Sequence, residues 1–168
     1  MRAREEREFT SFVREHGDDL LRFARRLIPD PGEAEDALQT ALLRLTSHWP
    51  KDNPRAYVRT SISNLAKDRT RRRHLVAVPT DRTLSHAVDE VDSAGAVDAQ
   101  VRLDSILIQL PVRQRITVVL RVLEDLSEAD TAEALGCSAG TVKSNLSRGL
   151  DKVRLLLSDS LAATKDDS

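Results

Sequence analysis

Between Ser127 and Arg154 the chain reads SEADTAEALGCSAGTVKSNLSRGLDKVR, and the types and spacing of its polar residues suit contact with nucleic acid. On a helix beginning near Ala139, Gly140, Lys143, Ser144, Ser147, Arg148 and Asp151 share one face, while Val142, Leu146, Leu150 and Val153 share the other. The first face offers cations to phosphates, fork-like donors to guanine edges, and short hydroxyls that leave room for a duplex groove. A helical hairpin that merely packs is the plain alternative. A second basic group lies earlier: Arg55, Arg59, Lys67, Arg69, Arg71, Arg72 and Arg73, with Lys51, give residues 51–75 a formal charge of +6. It reads either as a phosphate-facing surface or as a solvated helix end.

Enzymatic chemistry has little support. The four histidines, His16, His48, His74 and His86, are scattered, no glycine-rich phosphate loop occurs, and Cys137 is the only cysteine. No disulfide within the chain and no thiolate-rich metal site can form, so Cys137 reads as a small hydrophobe, and no metal or other cofactor is expected. The overall charge of −1 conceals alternation: residues 27–50 carry −3, 76–104 carry −4 and 141–158 carry +3. Salt screens exposed charges beyond about 10 Å, so the local patches govern contact with phosphates. The start, MRAREERE, is too charged for a secretory signal, and no apolar run reaches the roughly 20 residues of a membrane helix. Membrane insertion is not expected, and a cytoplasmic location is.

The elements that must position these groups follow from periodicity. Phe9, Phe12, Val13, Leu20, Leu21, Phe23, Ala24, Leu27 and Ile28 recur at helical spacing, with Gly17 an expected interruption. After the breaker Pro29-Asp30-Pro31-Gly32, a helix over 32–47 turns Ala34, Ala37, Leu38, Ala41, Leu42 and Leu45 inward. Asp36, Gln39, Thr40, Leu43 and Ser47 lie on another face. Trp49 to Pro54 is a loop, and Pro54 opens a helix to His74 with Val58, Ile62, Leu65 and Ala66 inward.

Residues 75–100 are acidic, rich in small residues and without sustained period, which predicts a flexible linker. Apolar periodicity returns at Val101, and the run from Ile116 to Val122 reads as a buried helix. Ser127 and Asp130 form a capping pair for a short helix, and Gly136 permits the sharp turn to the next one. The expected fold is all-α, with two small helical domains, 1–74 and 101–158, the second containing a helix-turn-helix. A disordered tail is expected over 159–168.

Three segments in this order resemble the extracytoplasmic-function (ECF) sigma factors of bacterial RNA polymerase. AEDALQTALLRLTSHW (Ala34 to Trp49) is similar to the family's polymerase-binding helix, PRAYVRTSISNLAKDRTRRR (Pro54 to Arg73) to its promoter-melting helix, and Leu107 to Arg154 to its fourth region. The resemblance implies that Asp36, Gln39, Thr40 and Leu43 meet the clamp helices of core polymerase. It implies that the loop Trp49 to Pro54, with Asn53, captures a flipped base, that Tyr57 stacks on a base, and that Asn64, Lys67, Asp68 and Arg71 meet the downstream promoter element. Tyr57 is equally compatible with a half-buried core position. Thr141, Lys143, Ser144, Ser147 and Arg148 match the helix that reads the upstream element. The implied partners are bacterial core RNA polymerase, promoter DNA and an anti-sigma factor held between the domains.

Val112 stands where the family often has a second proline, and Thr131 where an apolar residue is usual. A stand-alone helix-turn-helix regulator remains the alternative; it requires a dimer to read paired half-sites, yet no heptad seam is evident. An adaptor that binds polymerase without choosing a promoter is a further one.

Overall fold

The computed structural model describes residues 2–49, 51–76 and 96–165, and every regular element among them is helical. The long first helix, α1 (Ala3–Leu27), begins with the Glu5 carboxylate accepting from the Arg2 backbone N–H at 2.8 Å. It passes through Gly17 without the expected break. A glycine inside a helix costs about 1 kcal/mol, and burial of Phe12 and Leu20 on its two sides outweighs that.

Asp30 caps α2 (Pro31–Thr46) by accepting from Glu33 N at 2.8 Å, and Pro31 occupies the first turn, where a missing N–H costs nothing. Ala34, Ala37 and Ala41 are fully buried. Their small side chains let α2 lie close to both α1 and α3 (Pro54–Val76), whose Val58, Ile62 and Ala66 complete this core.

The second half contains α4 (Ala96–Leu107), α5 (Val112–Val118) continued by a π-helical turn (Val119–Leu123), α6 (Glu128–Leu135) and α7 (Ala139–Lys165). Leu107, Leu110, Ile116, Val119, Leu120 and Val142 form its interior. The run expected as a buried helix is therefore helical, with a π turn at its end. Ser127 Oγ accepts from Asp130 N at 3.0 Å and donates to the Asp130 carboxylate at 2.7 Å, the capping pair expected from sequence. Thr131 is fully buried without penalty, because its hydroxyl donates to the Ser127 carbonyl at 2.8 Å. Gly136 ends α6 at φ 61°, a conformation that disfavours any side chain.

Two expected boundaries move. Residues 75–76 continue α3 and residues 96–100 open α4, so the linker expected over 75–100 is helical at both ends; residues 77–95 lie outside the described residues. Of the tail expected to be disordered over 159–168, residues 159–165 are instead the last part of α7, and residues 166–168 lie outside the described residues. A continuous i→i−4 ladder propagates a helix more cheaply than it starts one, so α7 runs on past its packed segment.

The halves share one apolar cluster, and polar contacts tie them together beside it. Arg115 of α5, only 8% exposed, donates to the Leu27 carbonyl at 2.8 Å and to the Leu110 carbonyl at 3.1 Å, capping the end of α1 from the other half. Arg59 pairs with Glu124, and Arg26 pairs with Asp104 at 3.2 Å. Among the described residues no helix is long and apolar enough to cross a membrane.

Candidate polymerase and nucleic-acid interfaces

On α2 the inward alanines fix which residues face out. Asp36, Gln39 and Leu43 are exposed and Thr40 is half-buried. Leu43 is 69% exposed, a large apolar side chain flanked by polar ones, and such a patch suits a protein partner. The four residues thus occur together, as helical spacing requires.

The second group is spread along α3 and the loop before it. Asn53 Oδ1 accepts from Ala56 N at 3.0 Å, so Asn53 caps α3 and its side chain is held at the start of the helix. Tyr57 is half-buried, with its hydroxyl 3.3 Å from His48 Nδ1 and the Lys51 ammonium 5.0 Å from its ring centre. Both tyrosine readings retain support: the ring packs on His48, yet it lines a cleft of about 800 Å³. Across that cleft stand Asp130 and Glu133 of α6. Trp49 belongs elsewhere, edge-on to Phe9 at 5.3 Å and committed to α1.

Asn64 is half-buried on α3 and Arg71 is exposed, 3.8 Å from Asp68. Lys67 is turned toward the second half, and its ammonium donates to the Leu135 carbonyl at 3.0 Å. Burial lowers its pKa, and the nearby positive charge of Arg113 lowers it further. In this arrangement Lys67 spends a donor on the end of α6.

The third group lies on α7. Ser138 Oγ accepts from Thr141 N at 3.1 Å and lies 2.9 Å from the Thr141 hydroxyl, so Thr141 belongs to the cap of the helix. Lys143 is 72% exposed along its side chain and stands 3.7 Å from Glu128, a loose pair that ties it to α6. Ser144 Oγ donates to the Thr141 carbonyl at 3.3 Å. Ser147 and Arg148 are exposed beside them, while Val142 is fully buried. The face read from sequence is therefore the solvent face of the second helix of a helix-turn-helix.

Sequence reasoning missed three positioning residues. A Cβ at Gly149 would stand 2.7 Å from Val118 Cγ2, so that glycine sets how closely α7 lies on α5. Its place among inward residues was the available signal. Arg115 and Glu124 carry contacts between the halves, and neither leaves a periodic trace, because each acts on a partner remote in sequence.

Residues 12–75 match the family model for Sigma-70 region 2, and residues 100–153 match that for Sigma-70, region 4. The chain is 43% identical over 151 residues to the RNA polymerase sigma-E factor of Streptomyces avermitilis, covering 88% of this chain and 83% of that one. It is 32% identical over 155 residues to the ECF RNA polymerase sigma factor SigM of Mycobacterium tuberculosis, covering 89% of this chain and 76% of the other. The chain belongs to the ECF RNA polymerase sigma factors. Among solved structures, it superposes with a TM-score of 0.72 and 25% identity on the sigma factor RpoE, in complex with the anti-sigma factor NepR, from Bartonella quintana, covering 90% of this chain and 97% of that one. CnrH, in complex with the cytosolic domain of CnrY, shares the fold at a TM-score of 0.61 and 23% identity, over 92% and 90% of the two chains. As a sigma factor, the protein binds core RNA polymerase and promoter DNA to initiate transcription.

Proposed function

We propose that the three groups divide the work of promoter selection. Asp36, Gln39, Thr40 and Leu43 dock on core polymerase; Asn53, Tyr57, Asn64, Lys67 and Arg71 engage the downstream element as it opens; and Thr141, Lys143, Ser144, Ser147 and Arg148 read the upstream element as duplex. Residues 1–74 and 101–158 act as the two functional domains, joined by the acidic segment between them. The protein works by binding, without catalysis of its own, in the cytoplasm where polymerase and promoter meet. An anti-sigma factor, the kind of partner bound to the Bartonella quintana protein, is the expected antagonist.

The observation that carries this reading is the outward display, on one chain, of Asp36, Gln39 and Leu43 on α2 and of Lys143, Ser147 and Arg148 on α7. DNA stacking is worth about 1.4 kcal/mol per base-pair step, so opening several steps exceeds what these side chains supply alone. Core polymerase contributes the remainder, and each base captured by stacking adds roughly 1–3 kcal/mol. The test is to reverse charge separately at each end. Asp36→Arg with Gln39→Arg should abolish co-purification with core polymerase while leaving the fold intact. Lys143→Glu with Arg148→Glu should preserve core binding and lose promoter choice. Loss of both activities from either pair would contradict the division.

A further inference from the structure

Where α3 meets the second half, Lys67 and Arg71 face Arg113, Arg115 and Asn145 across a cleft of about 680 Å³, a volume within the usual range for small-molecule sites. Four basic side chains, Lys67, Arg71, Arg113 and Arg115, converge there against one carboxylate, Asp68, which is half-exposed and 3.8 Å from Arg71. Arg113 has no carboxylate partner within 4 Å among the described residues. In the other basic cleft Arg22, Arg26, Arg55 and Arg59 each lie within 4 Å of Asp19, Asp104 or Glu124. In this one Arg71 alone has a carboxylate partner among the described residues.

Two further observations point to an acceptor that the protein itself does not provide. The Arg115 side chain spends its two terminal nitrogens on the Leu27 and Leu110 carbonyls, but its Nε is buried without a partner. A buried unsatisfied donor is unfavourable unless something fills the site. The Lys67 ammonium has three N–H groups and gives one to Leu135, while burial first and the charge of Arg113 second lower its pKa. An anion between them would reverse that repulsion.

We propose that this cleft binds a small, multiply phosphorylated anion of the di- or triphosphate class, held by Lys67, Arg71, Arg113 and Arg115. The second half forms one wall, so a compact anion enters where a duplex does not. Bound there, the ligand ties α3 to α5 and competes with promoter DNA for Lys67 and Arg71. The competition alone rests on the DNA role proposed above; the binding does not.

The full chain is titrated by calorimetry with inorganic tripolyphosphate, and separately with chloride and sulfate at matched ionic strength and with a short DNA duplex of unrelated sequence. Tripolyphosphate should bind one per chain. Arg113→Ala should weaken it about tenfold, Arg113→Lys should largely restore it, and Arg14→Ala, exposed on α1 and outside the cleft, should leave it unchanged. Matched unfolding midpoints of the unliganded variants would establish that each still folds. The proposal is overturned by binding no tighter than sulfate, by equal losses from Arg113→Ala and Arg14→Ala, or by binding of the duplex alone. Promoter-directed transcription by the unliganded chain with core polymerase reports separately on the proposed function.

Discussion

At the residue scale, the α7 face shows how much chemistry its helical spacing already specified. Lys143, Ser147 and Arg148 are exposed together because Val142, Leu146 and Leu150 are needed on the other side. The base contacts proposed for Lys143 and Arg148 would discriminate by about 1–3 kcal/mol each, so Lys143→Glu with Arg148→Glu should weaken holoenzyme binding to its preferred promoter by about 100-fold in fluorescence anisotropy. A change of twofold or less would remove these residues from the DNA face. Thr141 and Ser144 lie beside them, with hydroxyls that bond to the cap and to the helix backbone. Sequence spacing places a residue on a face; it does not reveal which local bond its hydroxyl has already made.

At the element scale, local signals were legible wherever neighbours in sequence make the decisive contact. The Ser127–Asp130 pair and the turn at Gly136 needed only a few residues to be recognised, and both are present. Ser127→Ala should cost about 1 kcal/mol by removing the cap of α6, measured as a shift in the denaturant midpoint. Gly149→Ala should cost about 1–3 kcal/mol in the same measurement, because its methyl would overlap Val118 on α5. In sequence only its place among inward residues hinted at that cost, because a glycine in a helix otherwise reads as a weak former. Gly17 taught the converse lesson, since long-range packing on both sides kept α1 whole.

At the scale of the whole molecule, the long-range polar contacts between the halves come from residues with no periodic signature, beside an apolar core that runs through both. Arg59 and Glu124 are 16% and 11% exposed along their side chains, and removing one partner leaves the other charge largely desolvated. Glu124→Arg should therefore loosen this arrangement at a cost of about 2–3 kcal/mol, visible as a larger radius of gyration in small-angle X-ray scattering with helix content unchanged. An unchanged radius would mean that the Arg115 and Lys67 contacts hold the halves without it. Composition foretold two helical halves and an acidic segment between them, but relative placement depends on single long-range bonds such as Arg115 to Leu27. The acidic residues of α6 across the cleft from Tyr57 have the same origin.

The most direct test of the account is to map transcript 5′ ends on genomic promoter fragments with core polymerase alone, with the protein, and with its Asp36→Arg, Gln39→Arg form. The prediction is a set of protein-dependent starts that share two spaced upstream elements and vanish with the variant. Binding to duplex DNA as a dimer, with no core association and no new starts, would contradict it.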